Sequence, residues 1–187
     1  VRRKISKQKR NTYKPRKDNR YLIGRKYSDF LMYMEKNSDA KVVEMDTVYN
    51  DISNGPFLQT FKFREYDLLI CIYQTVKDSL HMLDGILLLE KILGKEMFEK
   101  EVEVILTDRG SEFILAEEAE IREDGTRRTR MFYCDSMASW QKGSLENVHL
   151  LVREICPKGC DLHALGLTSQ EKANLISTNI NSYPKEK

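Results

Sequence analysis

The chain has 187 residues, 41% hydrophobic and 32% charged, with a net charge of +2. That length supports one globular domain with a substantial core, and no apolar run approaches the ~20 residues of a membrane-spanning helix. The best candidate, Met82 to Leu93, is broken by Asp84, Glu90 and Lys91, and the basic first residues lack the apolar stretch of a secretory signal.

Charge is split along the chain. Residues 1–26 hold twelve Lys and Arg against one acid, Asp18, while residues 27–187 hold nineteen against twenty-eight. The first segment reads as a basic arm or linker, with Arg10, Lys14, Arg16 and Lys17 as candidate phosphate contacts beside Tyr13 and Pro15. Cations that neutralise phosphates release counterions, so nucleic acid is the expected partner. A solvated tail is the plainer alternative, since the arm lacks apolar periodicity.

Residues 27–187 read as the folded body. Tyr27 to Asn37 predicts a short helix with Ser28 as N-cap, and Lys41 to Val48 a first strand. Asn50 to Pro56 is turn material. Phe57 to Arg64 and Asp67 to Gln74 form an expected hairpin; Phe57, Gln59, Phe61 and Phe63 share one face, and LLICIY, apolar on both faces, suits a central strand. Leu80, Leu83, Ile86, Leu87 and Leu93 give helical spacing from Ser79 to Leu93, stopped by Gly94. Glu101 to Thr107 predicts a fourth strand, Ser111 to Glu120 a helix, and Met131 to Cys134 a fifth strand. A loop holding the single Trp, Trp140, precedes a helix from Ser144 to Ile155. A last helix runs from Ser169 to Ile180, capped by Thr168. The order implies an α/β fold, a mixed five-stranded sheet flanked by helices.

Three acids carry the chemistry. Asp46 sits in VVEMDTV, Asp108 ends a strand in VILTDRGSEF, and Glu146 opens a helix in QKGSLENVHLLVRE. An Asp inside a strand is unfavourable without a partner. If the first and fourth strands are neighbours, Asp46 and Asp108 approach each other, and with Glu146 they can hold a pair of Mg²⁺ ions of the kind that cut and rejoin phosphodiesters. Glu154, two turns along the same helix, competes as third ligand. The alternative keeps Asp46 and Asp108 as turn or cap residues. Cys71 and Cys134 read as small core side chains. Cys156 and Cys160 with His149 or His163 are weighed as a half metal site against a simpler reduced cytosolic reading. There is no Gly-rich phosphate loop and no nucleophile-elbow motif.

VVEMDTV, ILTDRGSEF and Gly-Ser-Leu-Glu-Asn followed by LVREICPKG resemble the catalytic core of the insertion-sequence-thirty family of bacterial transposases, over about residues 38–187. These belong to the integrase and transposase group with an RNase H-like fold. The resemblance implies that Asp46, Asp108 and Glu146 are the metal-binding, catalytic triad, with two Mg²⁺ (or Mn²⁺) ions. It implies hydrolysis at an element's end, then attack of the freed 3′-hydroxyl on target DNA by a homo-oligomer in the bacterial cytoplasm, at the nucleoid and not at a membrane. Arg109, Lys142, Asn147, His149 and Arg153 are candidate DNA contacts. Arg109 stands where such enzymes commonly have Asn, and Ser136 where they tend to have Pro. Family members carry a helix-turn-helix domain before this core; none is read here, so the chain, starting at Val1, is expected to be a piece truncated at its ends. The rival readings are an RNase H-like or resolvase-type nuclease and an inactive DNA-binding remnant. Asp46→Asn and Asp108→Asn are both expected to abolish activity while preserving the fold.

Overall fold

The computed structural model describes residues 19–50 and 55–184. A 3-10 turn over Arg20–Leu22 leads into helix α1 (Tyr27–Lys36). The N-cap is Lys26 rather than Ser28, and Asp29 in the first turn accepts the Lys26 N–H at 2.8 Å. Strands β1 (Val42–Val48), β2 (Phe57–Phe63) and β3 (Leu68–Gln74) form an antiparallel meander. Helices α2 (Ser79–Leu93) and α3 (Lys95–Glu101) follow, then strand β4 (Val104–Thr107), helix α4 (Ala116–Glu120), strand β5 (Arg130–Tyr133), and helices α5 (Gly143–Ile155) and α6 (Gln170–Ser182). β4 pairs in parallel with both β1 and β5, giving the order β3-β2-β1-β4-β5. This is the expected mixed five-stranded sheet.

Alternation along β1 sorts the core. Val43 and Met45 join Phe61, Ile105 and Met131 under α2, α3 and α4 in one apolar cluster. Gly85 lets α2 lie flush on β2, because a Cβ there would stand 1.8 Å from Gln59 Oε1. The opposite face carries two separate apolar clusters. One lies under α1 (Phe30, Val42, Leu106, Phe132), the other under α5 and α6 (Val48, Leu58, Val152, Ile176). Glu44 and Asp46 lie between Val42 and Val48 on this same face, facing Lys62 and Thr60 of β2. A polar seam thus separates the two clusters.

Several expectations change. β3 is an edge strand, and α6 covers its open side. The N–H groups of Leu69, Cys71 and Tyr73 donate to Asn181, Ser177 and Gln170 at 2.8 to 2.9 Å, and Gln170 and Asn181 donate back to the Cys71 and Leu69 carbonyls. A helix that satisfies an edge allows that strand to be apolar on both faces. The expected helix from Ser111 is a 3-10 turn, Ser111–Phe113, followed by the short α4. The Phe113 carbonyl accepts the buried Tyr133 hydroxyl, and Leu115 leaves helical geometry (φ −86°, ψ 54°). The fourth strand begins at Val104 because buried Phe98 anchors α3, whose end is closed by Val102 N–H on the Phe98 carbonyl at 2.8 Å. Ser169, not Thr168, precedes α6. Among the described residues no helix is long and apolar enough to cross a membrane.

Candidate active site

Val42 lies beside Val104 and Glu44 beside Leu106. Continuing this parallel register by two residues sets Asp46 level with Asp108. Asp46 Oδ1 accepts the Thr47 N–H at 2.7 Å, and Asp108 Oδ1 accepts the Gly110 N–H at 2.8 Å. Burial above all pushes the Asp108 carboxyl above its ordinary pKa; the Lys142 ammonium pulls it back, and Asp46 and Glu112 add to the rise. Gly110 leaves room for the two carboxylates beside it. A Cβ there would stand 2.6 Å from Glu112 Oε2 and 2.9 Å from Asp108 Oδ1. Glu112 is itself buried and ion-paired with Lys77.

Lys142, the last residue of a 3-10 turn over Ser139–Lys142, donates to Asp46 Oδ2 at 2.8 Å. It is the partner an Asp within a strand needs. Burial works against its ammonium, but Asp46 and Asp108 outweigh that and raise its pKa. The helix α5 that follows is fastened to β1 by Glu44, which is 0% exposed. One Glu44 oxygen accepts the Leu145 N–H at 2.5 Å, and the other accepts Arg64 Nε at 2.6 Å. Arg64 also donates to the Gln141 carbonyl at 3.2 Å. A carboxylate on an otherwise unsatisfied first-turn N–H suits the positive end of a helix. Glu44 and Arg64 escaped the sequence reading. The available signal was period two, which puts Glu44 on the same strand face as Asp46.

Glu146 lies exposed on the first turn of α5, with exposed Asn147 beside it. Among the described residues no three His, Cys, Asp or Glu side chains stand close enough together to hold an ion. The structure therefore brings Asp46 and Asp108 together and leaves Glu146, like exposed Glu154, outside that pair. The pair nonetheless fits a hard divalent cation. Its donors are carboxylate oxygens, the ligands such ions prefer.

The other candidates fall into two groups. Arg109 is tied to the end of β5, donating to the Cys134 carbonyl at 2.9 Å and to Asp135 at 2.7 Å. Arg153 joins α5 to the end of β1 through Asn50 at 2.7 Å and the Tyr49 carbonyl at 3.1 Å. Arg10, Lys14, Arg16 and Lys17 lie outside the described residues. Cys71 and Cys134 are buried, their thiols pushed up to about 12 by burial. Cys156 is buried while Cys160 and His163 are exposed.

His149 Nε2 stands 2.9 Å from Thr60 Oγ1, which itself donates to the Asp46 carbonyl at 3.1 Å. With its single proton used there, Thr60 accepts from His149, which places the ring hydrogen on Nε2. Burial pushes the imidazole down to about 4, against the pull of Asp46 and Glu146. An unfolded imidazole titrates near ~6.5. Between that pH and about 4 the unfolded chain binds a proton that the native state refuses, so stability falls as pH falls. His149→Gln, which keeps a donor for Thr60, should remove about 3 kcal/mol of that acid sensitivity. Melting temperatures of variant and wild type from pH 7 to 4.5 check this; parallel curves would refute it.

No family model matches the chain. A stretch of 79 residues, 42% of this chain, is 34% identical to the transposase for insertion sequence element IS1086 of Cupriavidus metallidurans. The match spans only 21% of that relative's length. The catalytic core domain of BIV integrase superposes with a TM-score of 0.50 at 15% identity, over 78% of this chain and 86% of that one. The HTLV-2 integrase catalytic core domain, solved in complex with magnesium, superposes with a TM-score of 0.39 at 16% identity, over 71% of this chain and 80% of that one. The fold is thus that of an integrase catalytic core, an RNase H-like sheet with helices on both faces.

Proposed function

We propose that residues 27–187 are the catalytic core of a transposase of the insertion-sequence-thirty family, which cleaves DNA and joins the freed end to target DNA. One observation carries this reading: Asp46 of β1 is level with Asp108, which directly follows the neighbouring parallel strand β4 of an integrase-type sheet, and Glu44 of β1 holds the helix bearing Glu146. The likeness of 79 residues to a transposase favours joining over hydrolysis alone.

Asp46, Asp108 and Glu146 are assigned as the residues that would hold Mg²⁺ or Mn²⁺, two ions in all. When bound, such ions neutralise charge on the attacking and leaving oxygens of a phosphodiester. The protein's own part is positional. Thr60, held by neutral His149, fixes the Asp46 backbone. Gly110 lets Asp108 approach Glu112 and the strand end. Asn147 is exposed beside Glu146, where a DNA backbone would pass. The arm, through Arg10, Lys14, Arg16 and Lys17, adds sequence-independent grip that weakens with salt. The partners are element-end and target DNA, the working form is a homo-oligomer, and the place is the bacterial cytoplasm at the nucleoid.

The test is a Mn²⁺-dependent assay on branched DNA that mimics a strand-transfer product. Cutting with resealing supports the reading. Cutting without resealing would instead favour a nuclease, and no activity together with no Mn²⁺ binding would leave a DNA-binding remnant.

A further inference from the structure

Lys142 lies in an unusual place for a residue that meets DNA. It is only 4% exposed, and its Nζ reaches both Asp46 Oδ2 at 2.8 Å and the Met45 carbonyl at 3.4 Å. Asp46 Oδ1 accepts the Thr47 N–H, and Lys142 holds Oδ2, the oxygen that carries no backbone bond. A buried ammonium is costly without an anion, and two carboxylates set level on neighbouring strands are costly without a cation. Each solves the other's problem.

We propose that Lys142 is the internal counter-ion of the Asp46–Asp108 pair: a positioning residue that holds Asp46 ready, competes with a divalent cation for Oδ2, and gives way to it. This rests on the assignment of Asp46 and Asp108 as ligands. The geometry favours displacement over a shared site, because an ammonium and a divalent ion on one carboxylate oxygen repel each other at short range. The backbone on either side of Lys142 is held, Gln141 by Arg64 and Leu145 by Glu44, so the part free to move is its side chain. Lys142 closes a short 3-10 turn, and the loop just before it reaches the surface at Met137, 97% exposed and left-handed (φ 61°). Its flexible four-carbon stem would carry the released charge toward solvent, where a phosphate of bound DNA can take it. The residue thus serves in both states, first as stand-in cation and then as phosphate contact.

Two measurements on the full chain test this. Amine acylation of Lys142, read by mass spectrometry, should be slow without metal and several-fold faster with saturating Mn²⁺. Lys142→Met, which keeps the stem and removes the charge, should bind Mn²⁺ about tenfold more tightly by calorimetry. Wild type that binds Mn²⁺ with no change in Lys142 acylation, or a folded Lys142→Met that binds no more tightly, overturns the counter-ion role and leaves the ligand assignment standing. If neither protein binds Mn²⁺ while both melt cooperatively, the ligand assignment falls and the counter-ion role with it. Should Lys142→Met fail to fold, acylation of the wild type alone decides.

Discussion

Asp108→Asn is expected to lower cutting and resealing of branched DNA by ~10³-fold or more, with a melting temperature at or above that of the wild type. The two halves have separate causes. On the proposed assignment the carboxylate contributes charge that would hold the cation, and an amide oxygen of the same shape contributes almost none. In the folded protein, however, burial raises the Asp108 pKa above its unfolded value, so at neutral pH the ionised side chain opposes folding. Asn removes that cost and keeps an oxygen for the Gly110 N–H. Asp46→Asn should behave differently, because it takes away the carboxylate nearest to the buried Lys142 ammonium. Activity is lost in both variants, but only Asp46→Asn should melt earlier. The structure thereby separates two substitutions that the sequence treats as equivalent. Activity that survives Asp108→Asn, or a loss that merely tracks a fall in melting temperature, would make Asp108 a structural acid.

Why the sequence shows the pair but not its surroundings is a matter of range. Asp46 and Asp108 stand out because each interrupts or ends a β-rich run, and a charge there needs an explanation. Their adjacency depends on β1 pairing with β4, which alternation of helices and strands makes plausible without proving. The partners of Asp46 come from residues 96 and 14 positions away, Lys142 and Thr60, and no local pattern connects them. The same blindness misplaces β3. LLICIY has the composition of a central strand, yet its edge is satisfied by Gln170, Ser177 and Asn181 on a helix about a hundred residues further along. Local rules also fail where side chains override them. Ser111 promises a helix, but Leu115 leaves helical geometry and the Phe113 carbonyl accepts the Tyr133 hydroxyl from a strand twenty residues on.

Glu44 carries the second large effect. Glu44→Ala should destabilise the fold by about 2–3 kcal/mol, since breaking a buried pair strands its partner, and the penalty is moderated by the partial exposure of Arg64. It should also reduce catalysis by ~100-fold. The second loss follows from position. Leu145 and Glu146 are consecutive, so the carboxylate that fixes the Leu145 N–H sets where α5 begins and where Glu146 starts from. Glu44→Gln separates the two roles. Its amide oxygen can still accept the Leu145 N–H, while the ion pair with Arg64 is gone. Stability should then fall with most of the rate retained. Mn²⁺ affinity gives the independent readout. A purely structural Glu44 would change melting without changing the affinity of the folded protein, whereas a residue that positions Glu146 must weaken it in Glu44→Ala and largely restore it in Glu44→Gln. The seam between the two apolar clusters would then be a single device. On the proposed assignment Glu44 docks the helix that carries Glu146 and Lys142 pairs with Asp46, so both contacts converge on the same face of β1.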